Sequence, residues 1–459
     1  MEKKDRLRDI NSSFGARFGI AVRDITPPVG IYSRNWGASE FDRAVGVHQP
    51  LLMHCLYIQG ISSRTVLLTA DLGWWKNATD EQNIRRALLS YFQLGESELV
   101  FALSHTHAGP SICSTDIDLP GGHLIPSYLD FLQEQAIQCV TEAHNGCFAG
   151  SMGWTYGVCD LACNRDLKVD NDYLIGFNPL EKADSTLLVG QVFDKENQLK
   201  AVICNYACHP TSFAHENDLI SPDYVGEMRN TVERETGVPC LFLQGASGDL
   251  APQKQYVKDP RYVEANGRQL GYAILATLEK ANKSGENWEY DSTLISGAPL
   301  AWWKSMEVKV SMDLAQHVIE VEVPYKNLPS LQSILEEYEK CTDRVLKDRL
   351  WRKYNTRKSI GDKQKAIIPV WIWKWGRAIV VAQANEAYSL FQKSVRATFP
   401  NHCIAFINIA NGYVGYLAPR ELYDKDIYAV WQSPYDKGSL EILIEKTKTG
   451  IKKLITNET

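Results

Sequence analysis

Short apolar runs that stop on a polar or charged residue recur along this chain. Thr65-Val66-Leu67-Leu68-Thr69-Ala70 ends on Asp71, and Leu99 to Leu103 ends on Ser104-His105. Runs of this length, bounded by turn residues, predict buried strands. A strand is also predicted within residues 17–29, where Pro27 and Pro28 stop it, and another over 51–57. Between the strands the period lengthens. Residues near 80–92 and residues 127–144, where Leu129, Leu132, Ala136, Val140 and Ala143 repeat at helical spacing, predict helices. Strands alternating with helices define an α/β chain rather than an all-β one.

The pattern continues through the middle. Residues 185–193 and 199–206 predict a hairpin around Asp194-Lys195-Glu196-Asn197, and its second strand runs into Cys208-His209-Pro210-Thr211-Ser212. A helix is predicted over 223–236, with Pro222 near its start, then a short strand over 240–243 and a helix over 260–280. Residues 330–358 read as one strongly charged helix that packs on the core, caps a pocket or contacts another copy. Trp371, Trp373 and Trp375 alternate ahead of a strand at 377–382, which makes them sheet packing or a substrate wall. A helix through Phe391 and Val395 and a strand over 403–409 follow. The Lys- and Thr-rich tail is expected to be a solvated terminus. With no internal repeat or linker, residues 1–459 are expected to form a single large α/β domain of mixed β-sheets flanked by helices. A helical insertion or lid is expected at about 330–370.

Composition narrows the function classes. The chain has 459 residues, 44% hydrophobic and 23% charged, with a formal net charge of -6 and no basic stripe, which gives no support to nucleic-acid binding. No apolar run is long enough for a transmembrane segment. The charged start Met1-Glu2-Lys3-Lys4-Asp5-Arg6 carries no signal-peptide core, so a cytoplasmic location is expected. Eleven cysteines lack zinc-knuckle spacing and read as buried thiols.

The chemistry collects where strands end. His105-Thr106-His107 is a weak signal by itself, but strand ends also deliver His209, Glu386 and Tyr416. Imidazole, carboxylate and phenol oxygen together permit a mixed N/O site for zinc, with an open position for water. Asp71 could bind the metal, orient a histidine or cap the next element. The turn Gln244-Gly245-Ala246-Ser247-Gly248-Asp249 is a structural turn or an anion nest.

Several longer stretches carry a resemblance. His105-Thr106-His107-Ala108-Gly109-Pro110, Asn164-Arg165, Asn205-Tyr206-Ala207-Cys208-His209-Pro210-Thr211-Ser212, Gly248-Asp249-Leu250-Ala251-Pro252 and Asn411-Gly412-Tyr413-Val414-Gly415-Tyr416-Leu417 are similar, in order and rough spacing, to the catalytic domain of the neutral, non-lysosomal ceramidases. The likeness spans about Phe18 to Val430. It implies a zinc amidase with one ion per chain, held by His105, His209, Glu386 and Tyr416, with Tyr413 and Tyr423 as competing phenols. It further implies His107 and Arg165 beside the reacting carbonyl, Tyr413 adding a hydroxyl, and Asp249 or Asp71 fixing histidine tautomers. The chain departs from the family in three ways. Ala251 stands where the family carries a serine, the chain is expected to have no C-terminal immunoglobulin-like domain, and no leader is seen. The resulting expectation is metal-water hydrolysis of a C–N amide bond in a small-molecule or lipid-like acylated substrate, with a place in sphingolipid metabolism among the options. A metal-dependent esterase or lactonase, or a non-catalytic metal- or carbohydrate-binding relative, stays open, and so does an oligomer.

Overall fold

The computed structural model describes residues 13–282 and 284–456. Eight strands form the larger sheet: β1 (Phe14–Asp24), β2 (Leu52–Gln59), β3 (Arg64–Ala70), β4 (Leu99–Leu103), β5 (Phe148–Val158), β6 (Thr186–Asp194), β7 (Leu199–Tyr206) and β8 (Cys240–Gln244). Their spatial order is β8-β7-β6-β5-β1-β2-β3-β4. The β3–β4 and β7–β8 pairs are parallel and the remaining neighbours antiparallel, so the sheet is mixed. One face is covered by α1 (Ala78–Phe92), α2 (Ile125–Asn145), α3 (Tyr224–Thr236) and α4 (Pro260–Lys280). Asn77 and Asp259 cap α1 and α4 by accepting from Thr79 N and Arg261 N, satisfying amides that a helix start leaves open. Asp223 does the same for α3, so Pro222 lies just outside that helix.

A hairpin, β9 (Glu286–Ile295) and β10 (Pro299–Glu307), follows α4. The second sheet contains β11 (Leu314–Pro324), β12 (Lys365–Trp375), β13 (Ala378–Gln383) and β14 (Cys403–Ile407), paired in that order. It lies face to face with the first sheet. Trp371, Trp373 and Trp375 project from β12 into this interface, where they meet residues such as Phe14, Phe18, Leu56, Val100 and Trp154. The indole N–H groups of Trp371 and Trp373 donate to Glu96 O and Ser97 O at 2.8 and 2.7 Å. These three rings are therefore core and not a substrate wall. Strand alternation delivers them to the buried face.

The outer face of the second sheet is covered by α7 (Leu390–Thr398) and α9 (Ser439–Thr456), giving four layers of helix, sheet, sheet and helix. The expected solvated tail is thus largely helix α9, whose Leu440, Leu443, Ile444, Thr447 and Ile451 are buried. Its apolar residues recur every three or four positions, and that spacing outweighs the Lys and Thr between them. The expected single charged helix is two, α5 (Leu331–Lys340) and α6 (Arg344–Ile360), because Asp343 accepts from Leu346 N and starts a new helix. A short helix, α8 (Tyr428–Gln432), lies between α7 and α9 in the chain. Among the described residues, all eleven cysteines are free thiols, and no helix is long and apolar enough to cross a membrane.

The loop after β14 ties both edges of the larger sheet together. Asn408 N donates to Gln244 O on β8, while Leu103 N on β4 donates to Ile409 O. The Asn411 side chain accepts from Phe101 N at 2.7 Å and donates to Leu99 O at 2.9 Å, taking the place of a neighbouring strand. Ile409 and Asn411 adopt φ of 56° and 52° to make these bonds.

Candidate metal centre and active site

His105 lies just beyond the end of β4, and its backbone turns into the left-handed region at φ 69°. That conformation is uncommon for a residue with a Cβ and marks an over-determined position. Its N–H donates to Leu72 O at 2.9 Å, and its Nδ1 lies 3.1 Å from Gly73 O. His209 follows β7. Its Nδ1 lies 2.7 Å from Ser247 O and 3.1 Å from Leu250 O. A carbonyl oxygen only accepts, so in both rings Nδ1 carries a proton and Nε2 is the atom turned toward the cluster. The tautomers are set by backbone carbonyls, and neither Asp71 nor Asp249 takes part.

Both Nε2 atoms converge on one carboxylate. Glu386 Oε2 stands 2.7 Å from His209 Nε2 and 3.2 Å from His105 Nε2, with all three side chains buried. Burial, followed by the Arg165 charge, holds the His209 imidazole down to about 4, so it is neutral. Burial works against the Glu386 charge, but the two imidazoles outweigh it and hold the carboxyl well below the usual carboxylate range. An ionised oxygen and two imidazole nitrogens therefore crowd one buried spot. His107 joins them: the ligand atoms of His105, His107 and His209 all lie within 4.8 Å of one another. Neither ring nitrogen of His107 has a hydrogen-bond partner among the described residues, and burial keeps this ring neutral as well. Converging imidazoles and an ionised carboxylate are the donor set a divalent cation takes, so the residues present fit a metal.

A two-residue parallel pairing of Glu386–Ala387 with Tyr416–Leu417 delivers the carboxylate and a phenol together. The Tyr413 hydroxyl donates to Glu386 Oε1 at 2.8 Å. The Tyr416 ring stacks beside His209 at 6.5 Å, and its hydroxyl accepts from Arg165 Nη2 at 3.0 Å. The Tyr423 hydroxyl is not in this cluster; its neighbours are Ser433, Glu441 and Asp436. The buried Arg165 also donates through Nε and Nη2 to Gly248 O. Gly248 lies flat against the segment that carries Glu386. A Cβ there would stand 2.7 Å from Tyr388 Cδ1 and 2.8 Å from Glu386 O.

Two expected residues have other partners. Asp249 accepts from the Ser389 N–H and hydroxyl at 2.6 and 2.7 Å, at the start of α7. Asp71 pairs with Arg229 through two 2.9 Å bonds. Ala251 is fully buried in a short strand pairing with Cys163. The nearby Ser247 hydroxyl accepts from Gln244 Nε2, and its carbonyl serves His209.

An aromatic collar around His107 is absent from the sequence reading. Trp36 and Trp74 lie 5.1 and 5.0 Å from its ring, and Tyr256 meets Trp36 at 5.6 Å. Trp74 follows the strand end at Asp71, the same signal that singled out the histidines. Helix α6 spans two segments of this collar. Asp348 accepts from Arg34 at 2.9 Å beside the Trp36 loop, and Arg349 rests over Trp431 at 4.3 Å and Tyr428 at 5.7 Å. Tyr428 in turn packs edge-on against Tyr416 at 5.8 Å.

No protein-family model matches the chain, and no curated protein sequence does. Solved structures share its architecture, among them the following two. A ceramidase complexed with C2 superposes with a TM-score of 0.65 at 16% identity, covering 95% of this chain and 74% of the other. The neutral ceramidase from Pseudomonas aeruginosa superposes at 0.64 with 17% identity, covering 95% and 73%. The chain has an α/β fold of mixed sheets flanked by helices with the architecture of a ceramidase catalytic domain, and it gathers three histidines where its strands end.

Proposed function

We propose that this protein is a zinc-dependent hydrolase of C–N amide bonds, with one ion per chain held by His105, His209, Glu386 and Tyr416. The observation that carries the reading is the close meeting of His105 Nε2, His209 Nε2 and Glu386 Oε2 in a buried site. When bound, zinc supplies a Lewis acid that lowers the pKa of water and polarises a carbonyl. Arg165 is a positioning residue: tied to Gly248 O, it places a fixed positive charge at the Tyr416 oxygen, opposing the burial that pushes this phenol well above its ordinary range. Tyr413 holds the second oxygen of Glu386 and keeps the carboxylate oriented.

Neither ring nitrogen of His107 has a partner among the described residues, so it can accept a proton from attacking water and hand it to the leaving nitrogen. Trp36, Trp74 and Tyr256 exclude water around it and offer flat apolar walls to an acyl chain or ring. Helix α6 serves as a lid, because it bridges the Trp36 loop and the Tyr428 helix.

The test is elemental analysis of protein purified without added metal, wild type beside His209→Ala, followed by assay on matched N-acyl amides and esters. We expect about one zinc per chain, lost in the variant, and amide turnover that disappears with it. Absence of metal from both proteins, after incubation with zinc, would overturn the reading.

A further inference from the structure

The β9–β10 hairpin belongs to none of the four layers. Every residue from 288 to 307 is exposed, including large apolar side chains: Trp288 53%, Tyr290 53%, Ile295 74%, Leu300 44%, Trp302 55% and Trp303 42%. The cross-strand register, with its bulge between Tyr290 and Ser292, puts Trp288, Tyr290, Trp303 and Ile295 on one face and Leu300 and Trp302 on the other. A lone two-stranded hairpin is marginally stable in water, and this one is apolar on both sides.

We propose that the hairpin is an assembly arm that a second copy of this chain covers in a reciprocal two-fold dimer. Three observations select that occupant. The first is area. At about 150–250 Å² for a full large side chain, the six named residues together expose roughly 700 Å² over the two faces of the arm, all of which a partner gripping both faces would bury. That is close to the ~800 Å² per partner of a stable interface.

The second is charge. From Ser292 to Trp303 there is no charged residue, whereas the base carries Glu286, Glu289, Asp291 and Glu307 against Lys304 and Lys309. An uncharged tip suits a protein surface, and an acidic base is repelled by anionic lipid headgroups.

The third is position. The arm is rooted at the start of β1: Gly285 N donates to Ser13 Oγ, and Gly15 N to Ser311 O. Strand β1 runs the same way as β3, because both are antiparallel to β2. The root is therefore at the opposite end of the sheet from His105, about 20 Å away along a seven-residue strand. An arm there can join two copies without touching either candidate site, whereas seating it in a membrane would turn that site away from the lipid.

Sedimentation velocity on the full chain at about 10 µM tests the proposal, since a standard interface is populated there. The expected result is twice the 51.8 kDa chain mass. Trp302→Ser with Trp303→Ser should raise the dimer dissociation constant at least 30-fold, roughly one hot-spot loss. Circular dichroism should be unchanged, because neither ring enters the core. Should that variant misfold, replacing residues 289–304 with two glycines serves instead. A wild-type monomer overturns the proposal, including one that co-sediments with phosphatidylglycerol vesicles. So does a dimer that neither hairpin variant weakens.

Discussion

The Asp71–Arg229 pair offers a quantitative test of how the candidate site is held in place. Both side chains are buried, with 2% and 3% exposure, and the carboxylate takes both Arg229 terminal nitrogens at 2.9 Å as well as Leu52 N. Arg229 Nε has no partner among the described residues, so the guanidinium depends on Asp71 for its compensation. Asp71→Asn leaves that cation buried and unpaired, and Arg229→Met leaves the carboxylate with one backbone amide. Breaking a buried pair from one side costs about 3–5 kcal/mol, so each single variant should lose that much. The double variant buries no charge and should lose at least 2 kcal/mol less than the sum of the singles, consistent with coupling in a contacting pair. Urea titration followed by tryptophan fluorescence, with midpoints converted through the wild-type slope, measures all three. The pair anchors residues 70–73, whose carbonyls receive Ser104 N, His105 N and the His105 ring. Metal content below the unfolding transition should therefore fall in Asp71→Asn before global structure does. Singles costing under 1 kcal/mol, or a double equal to their sum, would refute the reasoning.

Three further outcomes are expected. Gly248→Ala should cost about 1–3 kcal/mol by overpacking and reduce metal content, checked by thermal melting and elemental analysis, because the new methyl meets the Glu386 backbone. Burial pushes the Asp249 carboxyl up to about 6 from its ordinary 3.8. The native state thus holds its proton where the unfolded chain has lost it, and stability from this group is present below pH 4 and lost as pH rises through 6. Asp249→Asn should gain on wild type by up to about 3 kcal/mol between pH 4 and 7, read as the difference between their melting temperatures. Trp373→Ala should cost about 3–5 kcal/mol while leaving KM for any substrate unchanged; a changed KM with unchanged stability would return this ring to the substrate wall.

Much of the site was legible because strand ends are legible. The runs ending at Ala70, Leu103 and Tyr206 are short and mostly apolar, and the polar residues after them stand out. What sequence left open was which strands neighbour which. Trp371, Trp373 and Trp375 alternate equally well facing a ligand or a second sheet, and only the position of β11 to β14 decides. The hairpin at 286–307 was missed since apolar residues on both faces erase the alternation that announces a strand. Helix α9 was missed for the opposite reason: a clear helical spacing was overruled by Lys and Thr content. The phenols show the same limit. His105 and His209 announce themselves, but which of Tyr413, Tyr416 and Tyr423 stands beside Glu386 depends on pairings such as that of Tyr416–Leu417 with Glu386–Ala387, which no local pattern encodes.

The loop from Asn408 to Asn411 has a consequence for the dimensions of the site. His105 leaves one edge of the larger sheet, while His209 and its carbonyl partner at Ser247 leave the strands at the opposite edge. The two halves of the histidine cluster thus stand on either side of a seam, and the loop is its stitching. Slack introduced there, by one inserted residue for example, would pass directly into the spacing between the imidazoles. The gauge of the candidate centre is set by the circumference of the sheet, at a distance from the side chains that do the chemistry.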